Sequence, residues 1–311
     1  MAAQRQALPG ARWHFQHGPI DIVIGADGDA PAVQDAHQAA WLRFETVLGE
    51  LVAELPLLRQ PVAPLKWPAN GLLLEQACPL QGVVARRMWQ ACAAHAADFI
   101  TPMAAVAGAV AQELIALYRR PGVRRAWVNN GGDIALHLGA GEIFRIGLFA
   151  NLARLGTRPI EMDAHFDVRA SDPVRGVATS GWRGRSFSLG IADSVTILAA
   201  SAAQADAAAT RVANAVNVEH AGIVRRPACE LKDDSDLGDI AVTVAVPPLP
   251  PAEVDRALQA GLLCARGLQQ RGLVFAAALV CQGRYLGLQA PMSSPAGAWP
   301  VPALSEPALI D

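Results

Sequence analysis

The sequence predicts an α+β fold in which antiparallel sheets are packed by helices. Alternating apolar residues predict strands near both ends of the chain, and each of these stretches contains a turn signal. Helical patterns lie between them, but without the regular strand–helix alternation that a parallel sheet requires. Hairpins that recur between helices therefore favour an antiparallel arrangement.

The first element is a hairpin over residues 12–24. Trp13 and Phe15 alternate with polar residues, and Gly18 followed by Pro19 is typical of a turn. The alternating isoleucines after this turn predict the returning strand.

A helix is predicted next, over residues 35–55. Its apolar side chains are spaced for one helical face: Trp41, Phe44, Leu48, Leu51 and Val52. Five prolines in residues 56–79 then predict a connecting segment, because proline interrupts both helices and strands.

A second helix is expected to begin near Thr101, an N-cap candidate that is followed by Pro102 at the first helical position. Small residues through 104–111 would let another backbone or a ligand come close to this helix. Two short strands, at 126–128 and 134–138, flank a turn.

The remaining pattern predicts a strand at 195–198, a helix from Ser201 and a further helix near 253–270. Residues 273–288 predict a closing hairpin. The proline-containing tail at 291–311 is expected to be irregular.

The composition excludes several classes of protein. The chain has 311 residues, 52% apolar and 17% charged, with a formal net charge of −2, which argues against disorder and against nucleic-acid binding. Its apolar runs are too short to span a membrane, and its N-terminus lacks the apolar stretch of a signal peptide. The five cysteines are scattered, which favours reduced thiols. We expect one soluble, cytoplasmic domain over residues 1–311, and whether it forms a homo-oligomer stays open.

Three oxygen-bearing side chains recur on one face of the helix that begins at Ser201. Asp206, Thr210 and Asn214 are four residues apart, so they stack along successive turns of an otherwise alanine-rich helix. A carboxylate and a hydroxyl one turn apart are hard ligands that suit Mg²⁺. A solvated helix face is the alternative interpretation.

Two glycine-containing segments, at 129–133 and 176–181, also carry polar side chains that could bind a ligand. Glycine lets a phosphate or a ring approach the backbone, and amides, carboxylates and hydroxyls can fix its polar edges. The candidate ligand-binding residues of these segments are Asn130, Gly131, Gly132, Asp133, Thr179, Ser180 and Gly181. Each segment, taken alone, is also explained by an ordinary tight turn.

These motifs, in this order, resemble those of the ApbE superfamily, the flavin transferases. Members carry N-L-G-G-D-I, A-T-S-G, S-V-T and A-D-a-x-a-T, which correspond to residues 130–134, 177–181, 194–196 and 205–210 here. The resemblance covers the motif-bearing core at about residues 99–218. The Asn-Gly-Gly-Asp form of the first motif is closer to an uncharacterised, cytoplasmic branch of the superfamily.

The resemblance implies two T-fold-like halves with a flavin site between them. In the flavin transferases FAD binds there with Mg²⁺, and an FMN moiety passes to a protein threonine with release of AMP. Carried over by motif, Asp206 and Thr210 would be metal ligands, and the glycine-containing segments would line the FAD or FMN site. Ser186 and Ser188, just before the S-V-T strand, would contact the same ligand.

Two positions depart from the transferase pattern. Transferases carry His-x-x-Asp-Pro before the S-V-T strand, whereas residues 185–190 offer serines, which are not bases near neutral pH without an activating partner. Alanine precedes Gly108, where transferases have a lysine. Both departures argue against transfer of FMN to a protein.

Two functions of different classes follow from these motifs. The first is a divergent transferase or hydrolase with a flavin- or nucleotide-type pocket beside a Mg²⁺ site. The second is a non-catalytic binding or accessory protein in one-carbon or sulfur (homocysteine) metabolism that keeps the pocket. A purely structural subunit would explain the small-residue helix but not the ordered motifs.

Overall fold

A nine-stranded sheet forms the framework of the protein. The computed structural model describes residues 2–64, 76–148 and 164–290, so the tail predicted at 291–311 lies outside the described part. The strands of this sheet are β1 (Gln4–Leu8), β2 (Arg12–His17), β3 (Ile20–Gly28), β4 (Val123–Asn130), β5 (Asp133–Leu138), β8 (Gly176–Ser180), β9 (Ser194–Ala199), β12 (Ala276–Cys281) and β13 (Arg284–Leu288). They lie in the order β1-β2-β3-β4-β5-β8-β9-β12-β13, and the neighbours pair antiparallel. The predicted α+β class with antiparallel strands is confirmed.

Helices and two short two-stranded sheets complete the fold. The helices are α1 (Ala30–Ala53), α2 (Leu55–Leu58), α3 (Val83–Ala93), α4 (Val106–Ile115), α5 (Ala202–Ala215), α6 (Ala228–Leu231) and α7 (Pro251–Gln270). Two separate two-stranded sheets are formed by β6 (Ile143–Leu148) with β7 (Ala164–Arg169), and by β10 (Val224–Pro227) with β11 (Ala241–Ala245). Within the described ranges, none of the helices is long and apolar enough to cross a membrane.

The large sheet contains the same chain order twice. In the first unit the hairpin β2–β3 is followed by α1 and α4 and then by the hairpin β4–β5; in the second, β8–β9 is followed by α5 and α7 and then by β12–β13. In both units the second hairpin lies beside the first in the sheet. The two units are joined by antiparallel pairing of β5 with β8, where Ile134 faces Val177. This arrangement agrees with the two T-fold-like halves that the sequence resemblance implies.

Apolar side chains are buried on both faces of the sheet. One cluster, which includes Phe15 and Phe44, lies under the helices of the first unit, and a second, which includes Val212 and Leu279, lies under α5 and α7. A third cluster, which includes Val177, occupies the opposite face beneath the paired strands β6 and β7. Burying each large apolar side chain stabilises the fold by roughly 1.5–3 kcal/mol, so these clusters hold the sheet between two covering layers.

Helices α4 and α5 approach each other closely at Gly108. A methyl group added there would overlap the backbone carbonyl of Ala202 and would lie 2.9 Å from Cβ of Asp206. Only glycine fits at this contact without displacement of a backbone. The close approach that the small residues of 104–111 predict is therefore confirmed, and it positions Asp206 against α4.

The start of α5 is formed as its sequence predicts. Ser201 is the N-cap residue, and its hydroxyl accepts a hydrogen bond from the backbone N–H of Gln204 at 3.4 Å. A second predicted N-cap differs: Thr101 precedes a 3₁₀ turn at Pro102–Ala105, and α4 begins only at Val106. The Thr101 hydroxyl instead donates to Asp236, at 2.5 Å.

Other features of the helices were not predicted correctly. Val52, expected on the buried face of α1, is 55% exposed, because consecutive helical residues lie about 100° apart and Leu51 takes the inner position. Helix α3 was not predicted, although Val84, Met88 and Cys92 recur every four residues and are all buried. Part of the proline-rich stretch was predicted as a connection, yet Leu55–Leu58 forms α2.

Candidate functional site

A tight turn between β4 and β5 forms one side of the candidate site. Asn130 pairs with Asp133, so the turn contains only Gly131 and Gly132, whose φ angles are +67° and +113°. Two-residue hairpin turns need positive φ at such positions, which glycine adopts without strain. The side-chain oxygen of Asn129 accepts a hydrogen bond from the Gly132 N–H at 2.8 Å and fixes the turn. The tight-turn interpretation of residues 129–133 is therefore correct for the local structure.

Two carboxylates from different units meet beside this turn. Asp133 is the first residue of β5, and its Oδ1 accepts a hydrogen bond from the backbone N–H of Thr179 at 3.1 Å. Asp206 lies on α5, and its Oδ2 accepts a hydrogen bond from the backbone N–H of Gly108 at 2.9 Å. Gly108 is in the first turn of α4, where the helix dipole is positive and favours a carboxylate. Both carboxylates are therefore held in place by backbone groups.

Burial raises the pKa values of both carboxyls in this pair, and the charge of Asp133 raises the pKa of Asp206 further. The pKa of Asp133 is raised from 3.8 to about 7 by burial, against the favourable hydrogen bond from Thr179. The pKa of Asp206 is raised well above its usual value, first by burial and then by the charge of Asp133. Although protein atoms closely surround both carboxyl groups, both residues retain partial exposure to solvent. Two negative charges in this position oppose each other, so a bound cation would be favoured.

The three oxygen-bearing residues of α5 do not have the same role. Thr210 lies one turn beyond Asp206 and is partly exposed. Asn214, one turn further, holds a loop: its Oδ1 accepts hydrogen bonds from the Leu189 N–H at 2.9 Å and from the Ser188 hydroxyl at 3.2 Å. Among the described residues, no group of three His, Cys, Asp or Glu side chains is arranged to hold a metal ion. A Mg²⁺ site needs less, because one or two carboxylates with water and phosphate oxygens suffice.

The hydroxyls of β8 point to opposite faces of the sheet. Ala178 packs into the cluster beneath α5, whereas Val177 packs into the cluster on the other face. Because side chains alternate along a strand, Ser180 shares the face of Ala178, and Thr179 shares that of Val177. The Thr179 hydroxyl lies 2.9 Å from the hydroxyl of Thr196 on β9. Ser180 is thus on the helix-bearing face of the sheet, and Thr179 reaches Asp133 through its backbone.

The two predicted serines of the loop at residues 182–190 lie in different environments. Ser186 is exposed, whereas Ser188 is only 2% exposed. The Ser188 hydroxyl donates to Asn214 and accepts a hydrogen bond from the Gly190 N–H at 3.2 Å. The internal hydrogen bonds of Ser188 support the loop, and contact of either serine with a ligand stays a prediction.

Two arginines of the same loop were not predicted as site residues. Arg183 pairs with Asp193 at 3.5 Å and lies 4.9 Å from the ring centre of Trp182. Arg185 lies against the Gly131 turn, where its Nη1 would be 3.5 Å from a Cβ at Gly131. The sequence signal was two arginines on either side of Gly184. The sequence predicted Ser186 and Ser188 of this loop, and not these arginines, as contacts of a ligand.

Asp193, just before β9, contacts the turn between β12 and β13. Its Oδ2 accepts a hydrogen bond from the backbone N–H of Gln282 at 2.5 Å, and its own N–H donates to Val280 at 2.9 Å. Gln282 has a φ of +46° in the turn between β12 and β13. Asp193 therefore fixes this turn.

The fold defines an α+β protein in which two equivalent units share one antiparallel sheet, with a pair of carboxylates where the units meet. The chain belongs to the ApbE-like superfamily: it matches the family described as AbpE bacteria over residues 4–287. It is 33% identical over 180 residues to the UPF0280 protein of Methanothrix thermoacetophila, covering 58% of this chain and 68% of that protein. It is 31% identical over 207 residues to the UPF0280 protein of Methanosarcina acetivorans, covering 66% and 72%. Among solved structures, apo Pseudomonas stutzeri flavinyl transferase ApbE matches over 92% of this chain and 93% of that one, with 16% identity and a TM-score of 0.40.

Proposed function

We propose that this chain binds a flavin- or nucleotide-type ligand together with Mg²⁺ where its two units meet. The observation that carries the proposal is the meeting of Asp133 from β5 with Asp206 from α5. Each carboxylate accepts a backbone hydrogen bond, from Thr179 and Gly108, so the pair is preorganised rather than a chance surface feature. Membership of the ApbE-like superfamily supports the ligand class.

Asp206 and Thr210 are the proposed Mg²⁺ ligands, and Asp133 supplies a second negative charge beside them. This donor set fits the ion, because Mg²⁺ takes one or two protein carboxylates and completes its shell with water and phosphate oxygens. When bound, the ion neutralises phosphate oxygens of the ligand and relieves the repulsion between the two carboxylates.

The ligand is proposed to lie along the end of the sheet. The glycine turn permits close approach, and Asn130 is held there by a hydrogen bond from its Nδ2 to the carbonyl of Ala107 at 3.1 Å. The proposed contact residues are Asn130, Gly131, Gly132, Asp133, Thr179, Ser180, Gly181, Ser186 and Ser188. Of the three serines, Ser180 shares a sheet face with the carboxylates and is the strongest candidate.

As an enzyme, the chain would be a divergent transferase or hydrolase. In the hydrolytic form, water adds across the pyrophosphate of FAD and releases FMN and AMP. The residues of the chain would bind the pyrophosphate through the metal, orient it against the glycine turn and surround it with protein.

A non-catalytic binding or accessory protein is the second candidate. It is favoured by the loop of residues 182–190, which contains neither histidine nor a carboxylate. The Ser188 hydroxyl donates a hydrogen bond to the amide of Asn214. An amide is not a base, so this contact does not activate the serine. Such a protein would keep the ligand site without turning over its ligand.

Calorimetric titration with FAD, FMN and AMP, each with and without Mg²⁺, tests the proposal. Asp206→Asn keeps an oxygen for the Gly108 N–H but removes the charge, so it should weaken Mg²⁺-dependent binding by about 10–100-fold. Asp35→Asn, on the exposed face of α1, is the matched control and should bind as the wild type does. Absence of binding to all three ligands in both conditions would refute the proposal. Release of AMP from FAD, measured by chromatography, then separates the enzyme from the accessory protein.

A further inference from the structure

The loop of residues 182–190 is anchored at both ends. At one end the Trp182 N–H donates to the carbonyl of Ala192 at 3.0 Å. At the other end the Leu189 N–H and the Ser188 hydroxyl donate to Asn214 on α5. The middle of the loop is exposed. The loop therefore presents its central side chains from a fixed base.

Arg185, in the middle of this loop, bridges two turns at the same end of the sheet. Its Nη2 donates to the carbonyl of Pro19, in the turn between β2 and β3, at 3.3 Å. Its Nη1 lies beside Gly131, 3.5 Å from the position of an added Cβ. These contacts place the guanidinium over the glycine turn that borders the carboxylate pair.

The two arginines of the loop differ in their partners. Arg183 pairs with Asp193, whereas Arg185 makes no ion pair with a carboxylate in the described part of the chain. A guanidinium has five N–H donors in a planar fork, and the single bond to Pro19 leaves most of them available. Arg185 is therefore a cation that is positioned but not neutralised.

Open space adjoins the same turn. A Cβ added at Gly132 would touch nothing within 4 Å, so the outer side of the turn is clear. The Arg185 guanidinium and Asp133 thus both lie at the Gly131–Gly132 turn. A cation at this turn suits a ligand that carries an anionic group. Arginine matches phosphate oxygens geometrically, through two parallel hydrogen bonds.

We propose that Arg185 binds a phosphate group of the ligand against the Gly131–Gly132 turn. The inference rests on the proposed function, because it places the ligand of that site, and it adds the residue that selects phosphorylated ligands over neutral ones. Arg185 thus contacts the charged group of the ligand, from a loop that lacks the histidine of the transferases.

Riboflavin and FMN are the decisive probes, because they share one ring system and only FMN carries a phosphate. Arg185→Gln should weaken binding of FMN and of inorganic pyrophosphate by about 10–100-fold and leave riboflavin binding unchanged. Arg185→Lys keeps the charge without the planar fork. Its affinity for FMN and pyrophosphate should lie between those of the wild type and Arg185→Gln. Arg256→Gln, on the exposed side of α7 where the side chain is 67% exposed, is the control and should bind all three probes normally.

The outcomes separate this inference from the proposed function. If wild-type protein binds FMN and Arg185→Gln binds it equally well, the inference is wrong and the proposed function stands. An equal loss of riboflavin and FMN binding would also overturn it, because the phosphate would then not be the group contacted. Arginine-dependent binding of pyrophosphate without any flavin binding would keep the inference and refute the flavin ligand. If the wild type binds no anionic probe, both fail. Thermal unfolding shows whether each variant, including Arg185→Lys, still folds. It therefore distinguishes loss of the phosphate contact from loss of folding.

Discussion

The two units follow the same chain order but fill their cores with different side chains. The cluster of the first unit contains large aromatic residues, among them Phe15, Phe44 and Tyr118. The buried cluster of the second unit, over the described residues, contains alanine and aliphatic side chains and no aromatic ring. An aromatic side chain buries roughly 150–250 Å², whereas alanine contributes little area but allows close approach. Both clusters contain many alanines, so the aromatic rings add buried area to the first unit, while small side chains allow close packing around α5.

The largest expected effect is the loss of an aromatic ring from the first unit. Phe44 is fully buried, so Phe44→Ala should lower the free energy of unfolding by about 3–5 kcal/mol through lost transfer energy and a cavity. Urea denaturation measures this change. Leu42→Ala, on the same helix but 57% exposed, should change it by less than about 0.5 kcal/mol. Similar losses for the two variants would show that the first unit does not depend on its buried aromatic side chains.

The next largest effect is expected at the contact between α4 and α5. Gly108→Ala should destabilise the protein by about 1–3 kcal/mol, because the added methyl displaces the Ala202 backbone. Gly49→Ala is the matched control: Gly49 is an exposed position within α1 with open space around it, and alanine there should stabilise by about 0.5–1 kcal/mol. Opposite signs in thermal unfolding are the expected result. Stabilisation by Gly108→Ala would refute the close-contact account of α5.

A third effect should appear in the pH dependence of stability without metal. The pKa of Asp133 is raised from 3.8 to about 7, so the folded protein retains a proton that the unfolded chain releases. Stability from this group is fully present below pH 3.8 and is lost as the pH rises through about 7. In EDTA the free energy of unfolding should therefore fall between about pH 4 and pH 8, and Asp133→Asn should reduce this fall.

Magnesium provides the converse measurement. It should stabilise the wild type above pH 7, where Asp133 is charged, and have little effect near pH 4. Equal stabilisation at both pH values would argue against ion binding at this pair.

The smallest effect is expected at the start of α5. Ser201→Ala removes a long capping hydrogen bond of 3.4 Å and should cost about 0.5 kcal/mol. Ser171→Ala, at an exposed turn, is the control and should be neutral in the same denaturation series. A cost near that of Gly108→Ala would mean that capping, rather than close packing, positions α5.

Local patterns in the sequence were sufficient for much of the fold. The hairpin at 12–24, the helix from Ser201 and the close approach at Gly108 follow from alternation, capping and side-chain size, and the structure confirms all three. These properties are set by neighbouring residues. The exposure of Val52 and the existence of α3 depended on which helical face meets the sheet, which the local pattern did not decide.

The candidate site was predictable as a set of residues but not as an arrangement. Asp133 and Asp206 were both named from motifs, yet their meeting depends on the pairing of β5 with β8 and on the packing of α4 against α5. The role of Asn214 as a support of the loop, and the place of Arg185 over the glycine turn, likewise depend on contacts between distant segments. No short motif encodes such contacts.

Because the Gly108 N–H donates a hydrogen bond to Asp206, this backbone amide can report changes at the site. In a proton–nitrogen NMR spectrum, the resonance of this glycine should move when the charge on the carboxylate changes, whether a proton or an ion causes the change. Glycine resonances lie in a sparsely populated region of such spectra, so the signal can be followed without a chromophore or a turnover assay. The structure thus contains its own spectroscopic probe, which can report occupancy before the natural ligand is known.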